Sequence, residues 1–153
     1  MTDTLQKIFD ETRLGDMISY SDGTPRPPAR HTKKLRDWEN NNSGGRLVNK
    51  GAARYFGYSF TLQKKLSGPI ASVIGKYSTV IPLTSFYKFE IISRLPVGAW
   101  RVIRCLTTAH ELEFWSESKE EAETFLKEHN HGNDLVLDQV SEEPSQYDKY
   151  FEC

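Results

Sequence analysis

The sequence predicts an α+β fold, on three observations. Residues 86–92 (Phe-Tyr-Lys-Phe-Glu-Ile-Ile) and 100–106 (Trp-Arg-Val-Ile-Arg-Cys-Leu) are β-branched and aromatic runs separated by a Pro96-Val-Gly98 turn. In residues 111–115, Leu112 and Phe114 alternate with glutamates, the period-two pattern of a half-buried strand. Ser118-Lys-Glu-Glu121 has capping-box spacing, in which the serine and the glutamate each satisfy a backbone N–H, and Ala122, Phe125 and Leu126 follow at helical intervals. Residues 130–133 stop that helix, and Leu135-Val-Leu137 reads as a returning edge strand. Residues 83–140 are therefore expected to form an antiparallel β-β-β-α-β unit with the helix on one face of the sheet.

The part before it is β-rich after one short helix. Residues 2–12 place Leu5, Ile8 and Phe9 on one helical face, and Arg13-Leu-Gly15 ends the helix. Residues 16–22 read as a strand running into an Asp22-Gly23 turn. Thr24-Pro-Arg-Pro-Pro28 is extended and irregular, because three prolines remove backbone donors. Residues 29–39 suit a helix with Leu35 and Trp38 facing inward. Asn40-Asn-Asn-Ser-Gly-Gly45 reads as a loop of strong breakers. Short strands are expected at 46–50, 55–63 (interrupted at Gly57), 70–74 and 77–81, with turns at 51–54 and 64–69.

This organisation reads as one domain over 1–140, with a basic β-rich part at 14–82, the β-β-β-α-β part at 83–140 and an acidic tail at 141–153. The 37% hydrophobic content supports a packed core rather than a disordered chain. No apolar run reaches the roughly 18 residues that would span a bilayer, and the N-terminus lacks the basic and apolar regions of a signal peptide. Cys105 lies mid-strand and Cys153 is last, so both are expected as free thiols in a reducing cytoplasm.

Two resemblances attach to particular residues. Gly15-Asp-Met-Ile-Ser-Tyr20, a long connection and Gly45-Arg-Leu-Val48 resemble the paired strands of small SH3-like barrels of the Tudor and KOW kind. That resemblance covers residues 14–50 and implies a barrel in the β-rich part. Trp100-Arg-Val-Ile-Arg104, Phe114 and Ser118 to Ala122 are similar to the three-stranded, one-helix arm-binding domains of phage integrases, whose sheet enters DNA. Here the third strand and helix carry Glu111, Glu113, Glu117, Glu120, Glu121 and Glu123, so DNA contact is not carried over to this element.

Familiar catalytic chemistry finds no footing. Gly68 to Ser78 brushes against a phosphate-binding loop, but Ile70 and Tyr77 stand where that motif needs a glycine and a hydroxyl. His129, His131 and Asp134, or Cys105 with His110, fall short of the four close-spaced ligands of a structural zinc site. A histidine at a helix C-terminus is explained by the helix dipole. Sets such as Asp10, Glu11, Asp16 and Lys33, or His31 with Lys33, can be assembled from almost any chain. No cofactor and no metal is expected, and an unrecognised hydrolase ranks third among the readings.

Charge is the informative signal. Residues 24–76 carry eleven Lys and Arg against two acids, a net +9, and residues 110–153 carry thirteen acids against three lysines, a net −10. Arg26, Arg30, His31, Lys33, Lys34 and Arg36 cluster within eleven positions, and Arg46, Lys50 and Arg54 follow, then Lys64 and Lys65. Trp38, Tyr55, Phe56, Tyr58 and Phe60 are interleaved with them. Cations track phosphates and aromatic faces stack bases, the composition of a nucleic-acid groove. The first expectation is a small non-catalytic accessory protein that binds nucleic acid through residues 26–65, mainly by phosphate contacts. The site would comprise the six residues of the cluster with Trp38, Arg46, Lys50 and Arg54. The alternative is a protein-binding regulator or inhibitor that offers its acidic 111–128 face and tail to a basic surface. Pro25-Arg-Pro-Pro28-Ala-Arg30 also has the form polyproline-reading modules accept, though a stiff proline-braced loop accounts for it.

Overall fold

The computed structural model describes residues 3–53, 57–63, 78–106 and 109–149. The fold is α+β, with three α-helices and two antiparallel sheets and no closed barrel among these residues. In chain order the elements are α1 (Asp3–Glu11), β1 (Met17–Ser21), α2 (Thr32–Asn41), β2 (Ser43–Ala53), β3 (Gly57–Gln63), β4 (Ser78–Pro82), β5 (Lys88–Ser93), β6 (Trp100–Cys105), β7 (His110–Ser116), α3 (Lys119–His129) and β8 (Leu135–Gln139). A 3-10 turn at Gln146–Asp148 follows. The first sheet runs β4-β3-β2-β1-β5 and the second β7-β6-β8. No described helix is long and apolar enough to cross a membrane.

β5 departs from expectation. It pairs with β1 in the first sheet, Ile18 facing Ile91 and Tyr20 facing Phe89, and not with β6. The 94–99 connection closes no hairpin: Gly98 N–H donates to Val140 O and Val140 N–H to Ala99 O, each at 2.8 Å. Its backbone is thus committed to the end of β8, and the chain crosses from one sheet to the other. The β-β-β-α-β unit is in fact β6-β7-α3-β8.

The stretch 40–45 also differs. Asn40 and Asn41 finish α2, and Ser43-Gly-Gly45 begin β2. These glycines permit crowding rather than breaking the chain. A Cβ on Gly44 would stand 2.6 Å from Ile18 O, and one on Gly45 2.7 Å from Gln63 O. β2 pairs with β1 through Ser43–Arg46 and with β3 through Arg46–Ala53. Of the other expected elements, residues 64–77 lie outside the described region, and with them the 70–74 strand and most of the near-miss phosphate loop.

The second sheet lies between α3 and the main core. Val102, Phe114 and Leu135 pack under Ala122 and Phe125 of α3, while Ile103 and Leu112 join Phe9, Leu14, Ile18, Leu47, Phe60 and Leu62 on the other side. Leu112 and Phe114 therefore face opposite ways, against the alternation expected of 111–115. The cause is a bulge: Val102 faces Phe114 and Ile103 faces Leu112, so Glu113 is the extra residue. Glu113 is buried and accepts from Arg104 Nε at 3.0 Å. Helix α3 forms as expected, with Ala122 and Phe125 buried and Leu126 half-buried. Its cap is only half a box. Ser118 Oγ accepts from Glu121 N–H, but the Glu121 carboxylate takes the Ser116 hydroxyl, and Ser116 Oγ accepts from Ser118 N–H.

Candidate nucleic-acid interface

Residues 22–42, between β1 and β2, leave the first sheet and return to it. Their base is clamped by polar side chains. Asn42 Oδ1 accepts from Ser21 Oγ at 2.9 Å and from Asp22 N–H at 3.1 Å, while its Nδ2 donates to Asp22 Oδ1 at 3.0 Å and Trp38 O at 2.8 Å. Asp22 Oδ1 also accepts from Thr24 N–H and Oγ1, and these bonds hold its carboxyl below the ordinary value. Gly23 turns the chain at φ 81°. Trp38 Nε1 donates to Thr24 O at 3.0 Å, tying helix to loop. The Tyr87 hydroxyl bonds Asn41 Oδ1 at 2.9 Å. Sequence reasoning missed Asp22 and Asn42; an Asp-Gly turn hints at the first, and nothing local singles out the second.

The clamped segment projects cations. Arg26, Arg30, His31, Lys33, Lys34 and Arg36 are all exposed, and α2 buries no side chain completely, with Leu35 and Trp38 half-buried. None of the five Lys and Arg among them pairs with a described carboxylate. The N-terminus of α2 carries no side-chain cap on His31 and no acid in its first turn; Lys33 and Lys34 lie there instead. Cations at that end oppose the helix dipole, typically costing about 0.3–1 kcal/mol each. Uncapped N–H groups, the positive dipole end and Arg30, Lys33 and Lys34 thus converge on one anion-attracting end.

The other expected site residues lie elsewhere. Arg46 turns inward: its Nη1 donates to Gly15 O at 2.7 Å and its guanidinium lies 4.9 Å from the Trp115 ring centroid. Lys50 is 7% exposed, and its Nζ donates to Phe9 O at 2.8 Å and Thr12 O at 2.7 Å, closing the last turn of α1. Burial lowers this amine to about 8, against the opposing pull of Asp148, Asp10 and Asp16. Lys50 also lines an open recess of about 590 Å³ with Gln6, Asp10 and Tyr58. Arg54, Tyr55, Phe56, Lys64 and Lys65 lie outside the described residues.

The acids divide in two. Glu113 and Asp134 bind Arg104, and Asp138 and Asp148 bind Arg101, so these four are taken up by two arginines of β6. Glu117, Glu120, Glu121, Glu123 and Glu128 are exposed. Residues 141–149 are bound into the fold. Arg13 donates to Ser141 O and Glu142 O, and buried Asp148 accepts from Leu14 N–H and Arg101.

The sets a nuclease-type reading could collect are dispersed. Asp10 and Glu11 lie on α1, Asp16 is buried against Arg94, and His31 and Lys33 belong to the projecting segment. Among the described residues no three His, Cys, Asp or Glu are grouped to hold a metal.

Compared with known families, the chain matches the one described as "Uncharacterised conserved protein UCP036055" over residues 4–144. No curated protein and no solved structure matches it.

Proposed function

We propose that this chain, which belongs to the family of uncharacterised conserved proteins it matches over residues 4–144, is a non-catalytic accessory protein that binds nucleic acid through its 22–42 projection. One observation carries the reading: Arg30, Lys33 and Lys34 gather at an uncapped, exposed helix N-terminus where local helix energetics disfavour them. Arg26 and Arg36 extend the cationic surface. The contact is to phosphates, which this end of a helix recognises without reading bases. Arg46 and Lys50 are left out of the interface, because both turn inward and bond backbone carbonyls of the protein itself. The first sheet reads as an opened SH3-like barrel, supported by its β4-β3-β2-β1-β5 order. A cytoplasmic setting belongs to the same proposal, supported by the free thiol of Cys105.

The test is salt-dependent binding to a generic single-stranded oligonucleotide. Each neutralised phosphate adds about −0.7 to the slope of log affinity on log salt, so replacing Arg30, Lys33 and Lys34 together with alanine should flatten it by up to about 2. Binding to neither DNA nor RNA at low salt would refute the proposal. The exposed glutamates of α3 would then favour the second reading, a regulator that engages a basic protein surface.

A further inference from the structure

β5 ends the five-stranded sheet: β1 pairs with one side, and no described strand pairs with the other. Its burial alternates along the strand. Phe89 and Ile91 pack on the core, while Lys88 and Glu90 are exposed, and neither has an ion-pair partner among the described residues. Phe86, just before the strand, and Ile92, near its end, are each 59% exposed. No proline interrupts residues 83–95. An edge of this kind is a template for another strand unless something blunts it. One blunting device is present: Ile92 is a bulge residue, since Met17 faces Ser93 and Ile18 faces Ile91. The regular edge is therefore short, from Lys88 to Ile91.

Within that edge the charge pattern is self-complementary. We infer that β5 pairs antiparallel with β5 of a second copy about a two-fold axis at Phe89, joining two first sheets into one. In this register Lys88 of each copy faces Glu90 of the other, so both unpaired charges gain a partner. Tyr87 faces Ile91 on the core side, and Phe86 comes opposite Ile92 at the two ends. Centring the axis one residue later, at Glu90, would put two glutamates against each other, and like charges directly opposite are destabilising. An axis at Ile91 would set Lys88 against Arg94. A closed two-fold pair also consumes the edge, where an off-register pairing would leave it open to further addition.

The proposal is independent of the nucleic-acid reading and is tested on the full chain. Sedimentation equilibrium across the micromolar range should show a reversible species of twice the mass of one chain. Glu90→Lys sets lysines against each other in both symmetric pairs, and Lys88→Glu sets glutamates so. Each should weaken self-association by about tenfold or more. Both positions are exposed, so the melting temperature should be unchanged at concentrations where the wild type is monomeric. The double variant K88E/E90K restores opposite charges in the same register and should restore the dimer. A wild-type chain that stays monomeric overturns the proposal. So does a dimer indifferent to the single exchanges, or a double variant that fails to recover.

Discussion

Lys50 shows how the meaning of a charge depends on what surrounds it. In the sequence it stands four residues after Arg46 in a basic run, and nothing local separates it from the surface lysines of α2. What distinguishes it is the end of α1, whose Phe9 and Thr12 carbonyls need donors and lie some forty residues away in the chain. Its titration follows from that burial. The amine falls to about 8 in the folded state against 10.5 ordinarily, so between these values the unfolded chain binds more protons and stability rises with pH. A neutral amine keeps two N–H groups, enough for both carbonyls. The melting temperature of wild type relative to Lys50→Met should therefore climb from about pH 8 to about pH 10. A difference that stays flat across that window would show that the amine is not held down by burial.

Among elements, α3 was the most legible because everything that specifies it is local. Ser118 supplies the cap, and Ala122 and Phe125 supply the buried stripe. Phe125 stacks on Phe114 at 4.6 Å between centroids, with planes 6° apart. Thermal or denaturant unfolding should show Phe125→Ala losing about 3–5 kcal/mol and Ser118→Ala about 1 kcal/mol. Comparable losses for the two would mean that the cap, and not the packed face, carries the helix. The strands were less legible wherever their neighbours are distant. An aromatic run at 86–92 says strand, but whether it pairs with β1 or β6 depends on the 94–99 backbone bonding to Val140. The bulge at Glu113 reverses the facing of Leu112 and brings the carboxylate to the Arg104 guanidinium, a partner nine residues away that the local pattern does not show. Gly44 and Gly45 read as breakers because glycine's other use, letting backbones approach, has no signature within its own segment. The projecting cations could be read from composition, whereas their clamp, Asp22 with Asn42, spans twenty residues and could not.

At the scale of the whole molecule, the two oppositely charged halves meet at Lys50, which feels the pull of Asp148 without forming an ion pair with it. Among the described residues no ion pair joins a cation of the 24–50 stretch to an acid of 110–149; the paired acids there meet Arg101, Arg104 and, for Glu123, Lys119. Arg101, 3% exposed, is the junction. Besides Asp138 it reaches Asp148 Oδ1 at 2.7 Å, Leu14 O at 2.9 Å and Ser145 Oγ at 3.0 Å, joining β6, β8, the α1–β1 connection and the final turn. Burial disfavours ionisation of Asp148, but Arg101 and the N–H groups of Ser145 and Leu14 outweigh it and hold the carboxyl below its ordinary value. The stability it contributes is therefore present above that ordinary value, near 3.8, and is lost as pH falls through its lower folded value.

Residues 141–149 are thus a structural strap across the fold. Removing one partner of a buried pair typically costs about 3–5 kcal/mol, and Asp148→Ala should lose that much at neutral pH and progressively less in acid. Truncation after Val140 should cost at least as much, since it also removes the Ser141 and Glu142 carbonyls that hold Arg13. Urea unfolding at neutral pH and at about pH 3 checks both expectations. A truncated chain as stable as the full one would show that Arg101 is satisfied by Asp138 alone and that the strap is dispensable.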